Sequence, residues 1–503
     1  MLQPARRVLG AIALAVVVAG AVAGCGSTVQ LRSTALGSDG LTPAGGSAQE
    51  LTGAAGGSTS AQSGGATGSS AGGAAAGGAA GAVNGTAAPA AGGSSSSTGT
   101  ASTGTRGVAA KEPIRIGVVY ASGIGAAAAA MGIPGLATGD NKAQAEAVFN
   151  WINAHGGLGG HPIKGYYWDA AQNQGSNAEQ TMQLACAGLT QDDHVQYVQS
   201  IAGIPLSGMA CFVKAGVGIL DDETGLGDAD MAKYAAHLGN SGEIAPGRMT
   251  ALVVDDLWQR GWLKATSKVG IFSADSSGAH SVVDQYLIPA LRRHGLTSAK
   301  TIYVNPDAGD GGSSGSSSAA LQYKAAGVDR IIPVLYSPLF LMHAASTQDY
   351  HPGYAVYSNV GPGALLETAA PPDQLPNAVG IGWQPYLDIG KGNMPGPVSP
   401  RETLCFDIMK KAGQASTSAT TKGFEVQVCN ALFFLMDLAN KLPSMPADLL
   451  TSGRALIGRR FVPADTFRVD VTHRPDGVAG YRDLAYQQAC GCFQYVSGVR
   501  STP

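Results

Sequence analysis

From Ile114 onward, short apolar runs alternate with stretches of helical period, and this alternation limits the folds open to the chain. Ile114 to Tyr120 is β-branched and mostly apolar, as a strand buried on both faces should be. Ala145, Val148, Phe149 and Ile152 then repeat at helical spacing and form one core-facing stripe. His155-Gly156-Gly157 ends that helix, because glycine accepts a left-handed cap, and Pro162 prevents its resumption. Ile163 to Trp168 reads as the next strand, with Asp169 at its carboxyl end. Helices at about 175–188 and 206–215 and strands at 195–201 and 217–221 continue the pattern. After a further helical stretch, strands at 268–272, 301–304 and 329–335 alternate with helices at 282–294 and 319–326. The pattern runs twice, near 114–230 and near 268–360. The expected fold class is therefore α/β, with two lobes, each a parallel sheet flanked by helices. Ligand atoms belong outside the carboxyl ends of the strands.

The first 111 residues are of another kind. Arg6 and Arg7 precede an apolar run, Val8 to Val22, too short for a comfortable membrane span and right for a signal core. Val22-Ala23-Gly24-Cys25 follows it. Small residues before a cysteine resemble a bacterial lipobox, which makes 1–24 a lipoprotein signal peptide and Cys25 the lipidated residue. The alternative is an ordinary signal peptide with a chance cysteine. Residues 25–111 are Gly, Ala, Ser and Thr with almost no large side chains, and cannot bury enough surface to offset their ordering entropy. A flexible coil of roughly 85 such residues spans about 50 Å root-mean-square. It reads as a disordered tether holding the domain at 112–503 off the membrane, on the extracytoplasmic side.

Only 13% of the residues are charged and the net charge is −3, with no cluster of Lys and Arg, so a nucleic-acid partner is not expected. With Cys25 set aside, Cys186, Cys211, Cys405, Cys429, Cys490 and Cys492 remain, an even number that suggests disulfides in an exported chain. Cys186 with Cys211 is the preferred pair: one ends a helix-like run and the other begins the next element but one. Closing that loop stabilises by about 3 kcal/mol in the chain-entropy view. The Cys490-Gly491-Cys492 spacing is tight for a mutual bond, so bonds from these two to Cys405 and Cys429 are expected. No histidine lies nearby at ligand spacing, so no metal site is expected.

The stretch VFNWINAHGGLGGHPIKGYYWD, 148 to 169, resembles the hallmark of the branched-chain amino acid (leucine/isoleucine/valine) binding proteins of ABC importers. That family writes a helix, Asn-x-x-Gly-Gly-x-x-Gly, a strand and an Asp. Asn153, Gly156, Gly157, Gly159 or Gly160, Ile163 and Asp169 match it. The strand IRIGVVY, the positions of Cys186 and Cys211, and KVGIFSADSSGAHSVVDQYLIPALRRHGL at 268–296 are also similar to the family. The similarity spans about 112–503. It implies a type I periplasmic-binding fold, two lobes joined by three crossovers that close on a small polar ligand, and an ABC permease as partner. On this reading lobe 1 takes about 112–245 and 372–455, and lobe 2 about 246–371 and 456–503.

In lobe 1 the strand-end loops offer Ser122 with Gly123, Ser200 to Ser207, and Asp222-Glu223-Thr224. The resemblance gives Gly203, Ser207 and Thr224 the role of binding a ligand carboxylate through hydroxyls and backbone N–H groups. The commoner role of such hydroxyls is to cap helices. Asp221, Asp222 and Glu223 depart from the family, and either take an ammonium group or form a solvated turn. In lobe 2, Ser276-Ser277-Gly278, Tyr336-Ser337 and Asn359 follow strands. The family's ammonium-binding acid would fall close to Asn359, but the run Ser358-Asn359-Val360-Gly361 has no carboxylate. A neutral amide, a polyol or an aromatic acid is therefore as open as an α-amino acid. Trp383 and Tyr386 either line the cleft by stacking or serve packing.

Two other motifs carry less. Gly123-Ile124-Gly125-Ala126-Ala127-Ala128 mimics a dinucleotide fingerprint, but the next strand's acid, Asp169, lies too far along the chain, so no cofactor is expected. Gly311-Gly312-Ser313-Ser314-Gly315 matches a nucleophile elbow but lies in a Ser/Gly-rich stretch with no strong strand before it, so the chain is not read as an enzyme. His280 is the one histidine near a cleft loop and reads as an exposed helix residue. The expected function is a lipid-anchored solute-binding protein delivering a small polar molecule to an importer. The rival is a sensing module on the same fold, which signals occupancy to a partner protein.

Overall fold

The computed structural model describes residues 111–123, 138–173, 178–201, 204, 206–220, 226–305, 312–368, 370–390, 398–442 and 448–503. The lipobox cysteine Cys25, the tether, Gly203 and the acidic turn with Glu223 and Thr224 lie outside the described residues. The described residues fall in one compact unit.

The first sheet contains β1 (Ile114–Tyr120), β2 (Ile163–Asp169), β3 (Tyr197–Ser200) and β4 (Gly218–Leu220), all parallel in the order β2-β1-β3-β4. Successive β1 side chains point to opposite faces, and each face meets its own core. Ile116 and Val118 pack with Phe149 and Ile152 of α1 (Asn141–Ala154). Val119 packs with Met182 of α2 (Ala178–Ala187) and Phe212 of α3 (Leu206–Lys214). After α4 (Asp228–Lys233) the chain crosses into a second sheet.

That sheet has the order β11-β10-β9-β8-β7-β5-β6, with β12 added against β10. Its parallel part is β5 (Val269–Ala274), β6 (Ser298–Val304), β7 (Arg330–Val334), β8 (Gly353–Val356) and β9 (Val379–Gly382). The antiparallel edge is β10 (Gly480–Gln487), β11 (Cys492–Tyr495) and β12 (Arg500–Ser501). Every residue of β5 is buried, as helices on both faces require. These helices are α5 (Pro246–Gln259), α6 (Ser277–Val282), α7 (Ile288–Arg293), α8 (Ser313–Ala326), α9 (Leu339–Thr347), α10 (Pro362–Glu367) and α11 (Pro385–Ile389). The chain then supplies α12 (Pro400–Lys411), α13 (Ala419–Lys441) and α14 (Leu449–Ile457), whose apolar residues Ile408, Leu432 and Leu450 join the first lobe's core.

Four expectations are corrected. Val379–Gly382 pairs with β8 and β10, and Ala378, Ile381 and Ile389 pack in the second core, so the chain stays in the second lobe past 372. This short, glycine-containing strand carries too little periodicity to be read. Phe461, Ala464, Val469 and Val471 belong to the first core, so the last return comes after 456, with Val478 and Tyr481. The Ser/Gly-rich stretch is the start of α8, six residues earlier than expected. Gly312 enters it at φ +82°, and the Ser316 and Ser317 hydroxyls bond back to the carbonyls of Gly312 and Ser313.

The fourth correction concerns the cysteines. Cys186–Cys211 forms as expected, but the other bonds are Cys405–Cys429 and Cys490–Cys492. Cys405 and Cys429 are both buried where α12 meets α13 in the first core. Cys490 and Cys492 sit at the tip of the β10–β11 hairpin in the other lobe. Gly491 at φ +61° folds the tip back and brings their Cα atoms to 5.2 Å.

The glycine-rich motif now has a mechanical account. Gly157, at φ +71°, donates its N–H to the Ile152 carbonyl and closes α1. The Asn153 side chain then grips the next strand at both ends of its amide: it accepts from Ile163 N at 2.6 Å and donates to Ile163 O at 3.0 Å. One side chain thereby couples the end of α1 to the start of β2.

Candidate functional site

The candidate cleft is built at the carboxyl ends of both sheets and the crossovers between them. In the first lobe Asp169 is a positioning group. Its Oδ1 accepts from the backbone N–H of Ser122 and of Ala171, each at 3.0 Å, so the loops after β1 and β2 move together. Ser122 itself is exposed. Ser207 is the second residue of α3, and its hydroxyl oxygen is buried with no hydrogen-bond partner among the described residues.

In the second lobe Ser276, not Ser277, caps α6 by accepting from Ala279 N, and this leaves Ser277 exposed on the first turn. His280 is taken up by Asp275 at 2.9 Å and stacks on Tyr303. Tyr336 is buried in the core, edge-on to Phe272.

Asn359 and Trp383 belong to one polar junction. Ser358 Oγ accepts from the backbone N–H groups of Trp383 (2.8 Å) and Gln384 (3.3 Å). The Asn359 amide donates to Glu243 at 2.9 Å, and the Gln384 amide reaches the other oxygen of Glu243 at 3.2 Å. Glu243 is buried on the first crossover. The carboxylate that meets Asn359 comes from more than a hundred residues earlier in the chain. The only sign of it in the sequence is the polar run Gly239-Asn240-Ser241-Gly242-Glu243 leading out of the first lobe. Beneath it lies a second acid, Asp388, which accepts from Tyr495 Oη at 2.5 Å and Gln384 N at 3.0 Å. Burial pushes its carboxyl up to about 7, against those hydrogen bonds. Asn430 of α13 ties this region to the first lobe, donating to Ser241 Oγ and accepting from Ala464 N.

The junction is not fully satisfied. Asn359 Oδ1, Gln384 Oε1 and the Trp383 indole N–H are buried with no partner among the described residues. Each such group costs about 1–3 kcal/mol, and a ligand able to pair with them recovers that free energy. Among the described residues no group of three or more His, Cys, Asp or Glu side chains is placed to hold a metal ion, and no helix is long and apolar enough to cross a membrane.

No family model and no curated protein matches the chain at a significant level. Solved structures do match. An ABC transporter substrate-binding protein from Desulfitobacterium hafniense in complex with Leu aligns at 14% identity and TM-score 0.52, over 76% of this chain and 100% of that one. A solute-binding protein of an ABC transporter from R. palustris, in complex with 4-hydroxybenzoate, aligns at 11% identity and TM-score 0.56, over 78% and 98%. The chain has the two-lobed type I periplasmic-binding fold. A possible leucine/isoleucine/valine-binding protein from Rhodopirellula baltica shares it at 14% identity and TM-score 0.54. In a periplasmic-binding fold the strand tips of both lobes border one crevice. Ser122, Ser277 and Asn359 lie at or just past such tips, whereas Tyr336 and Trp383, equally placed in sequence, are buried in the second core, Trp383 with no exposed surface.

Proposed function

We propose that this protein captures a small polar solute between its two lobes, on the extracytoplasmic face of the membrane, and delivers it to an ABC permease, held in place by acylated Cys25. The observation that carries the reading is the incompletely paired junction of Glu243, Asn359, Gln384 and Trp383 where the lobes join. Export and tethering rest on the signal-like N-terminus, Cys25 and the Gly/Ala/Ser segment. The neighbours' ligands, Leu in one and 4-hydroxybenzoate in another, suggest a small acid-bearing solute. Glu243 and the Asn359 oxygen suit an N–H donor on that solute, an ammonium or an amide. Trp383 Nε1 suits an acceptor. Gly203, Ser207, Glu223 and Thr224 of the first lobe, with Ser122 and Ser277, are proposed to complete the site on closure. No catalytic step is assigned, because the arrangement offers binding groups without a nucleophile–base pair.

A thermal-shift screen of amino acids, amides, ureas, polyols and aromatic acids on the full chain tests the proposal, with calorimetry on any hit. The expected result is a ligand whose affinity falls at least about tenfold in Asn359→Leu and in Trp383→Phe, the loss of one buried hydrogen bond each. Absence of binding by every class, or a hit indifferent to both changes, refutes it.

A further inference from the structure

A cavity of about 380 Å³ lies at the joint of the lobes, away from the strand-end loops. None of its lining residues belongs to the strand-end loops that border the crevice. Its walls come from four parts of the chain: Arg248 near the start of α5, Arg459 in the turn after α14, the last crossover with Arg468, His473 and Arg474, and the segment from Ser501 to Pro503.

The charge count in this cavity does not balance. Arg248 is matched by Asp476 at 2.7 Å, and Arg459 by Asp470 at 2.6 Å. Arg468 has no carboxylate partner among the described residues; it donates to the Ser501 hydroxyl at 2.8 Å and the Ala479 carbonyl at 3.3 Å. Arg474 and His473 are exposed at the rim, with no hydrogen-bond or ion-pair partner among the described residues. Two guanidinium groups thus face one concavity without an ion pair among the described residues, in a lining that also includes Pro503 and in a protein whose net charge is −3. Guanidinium forks match the two oxygens of a carboxylate or phosphate, and the volume falls in the range of small-molecule sites.

We propose that this cavity is a binding site for an oxyanion, a phosphate or polycarboxylate group, held by Arg468 and Arg474 with His473 at the rim. The site is independent of the solute reading of the cleft, so either can fail without the other.

Calorimetric titration of the full chain with inorganic phosphate and with citrate, against chloride at equal ionic strength, tests it. Arg474 makes no hydrogen bond or ion pair among the described residues, so Arg474→Glu is expected to keep the parent's circular dichroism and melting temperature. Its anion affinity should fall by about tenfold or more, since a charge-assisted pair becomes a repulsion. Arg468→Gln should weaken binding in the same direction. A second arm separates a free anion from a lipid headgroup. The full chain carrying Cys25→Ser is sedimented with phosphatidylglycerol vesicles and with phosphatidylcholine vesicles. Heats with the soluble anions and no sedimentation assign a free solute; sedimentation with the anionic vesicles alone, abolished by Arg474→Glu, assigns a headgroup. No binding in either arm, or equal binding by parent and Arg474→Glu, overturns the proposal.

Discussion

Glu425 offers the sharpest test of how this fold treats charge. It lies on α13 with no exposed surface, and neither carboxylate oxygen has a hydrogen-bond partner among the described residues. Burial pushes its pKa from 4.5 up to about 7, with the charge of Lys422 and the nearby backbone N–H of Ser416 pulling the other way. The fold therefore prefers the protonated acid. A pKa raised on folding gives stability that is complete below the unfolded value and is lost as pH rises through the folded one. For these two values the ionisation cost is about 1 kcal/mol at pH 5 and about 3 kcal/mol at pH 8. Glu425→Gln has nearly the shape of the protonated acid and does not titrate. Its stability relative to the parent should thus rise by about 2 kcal/mol between pH 5 and pH 8. Asp388 also titrates high, but it is present in both proteins and cancels from the difference. Urea denaturation of parent and variant at pH 5, 6, 7 and 8 measures it. A variant less stable than its parent at pH 8, or a difference that does not change with pH, refutes the argument that burial keeps Glu425 protonated.

Three other outcomes follow from particular contacts. Glu367 of α10 accepts from Ser418 Oγ, Ala419 N and the Thr420 hydroxyl at the N-terminus of α13, so Glu367→Ala should lower the urea midpoint by an amount equivalent to about 2 kcal/mol. A Cβ on Gly157 would lie 2.1 Å from the His161 carbonyl oxygen in a left-handed conformation, so Gly157→Ala should destabilise by about 3 kcal/mol or abolish soluble expression. Replacing Cys405 and Cys429 by Ala opens a loop of 24 residues and should cost about 3 kcal/mol, whereas the same change at Cys490 and Cys492 should cost about half that; paired melts under matched redox conditions compare them.

Local periodicity was enough to read most strands and helices of both lobes from Ile114 to Val334, though not every start, because a doubly covered parallel strand and an amphipathic helix write different repeats. The glycine motif was also legible, down to Asn153, since a left-handed turn tolerates few residue types. Val379–Gly382 was missed because four residues with two glycines hold no period. The start of α8 was missed because serine reads as loop until its hydroxyl is seen bonding back along the helix.

The site divides along the same line. Asn359 and Trp383 read as candidates in the sequence because each follows a strand, and ligands gather at strand tips. Tyr336 and Trp383 both follow strands and both are buried in the second core; what sets Trp383 apart is a buried indole N–H with no partner among the described residues. Glu243 was not legible, since its meeting with Asn359 depends on where a crossover returns over another lobe's strand end. The partner choice of the cysteines is of the same type: Cys405 found Cys429 because two helices cross there, and Cys490 found Cys492 because a hairpin turned. Chain-local physics, period and turn chemistry, is written residue by residue along the sequence. Contacts between residues a hundred positions apart are written only in how the two sheets and their crossovers are assembled.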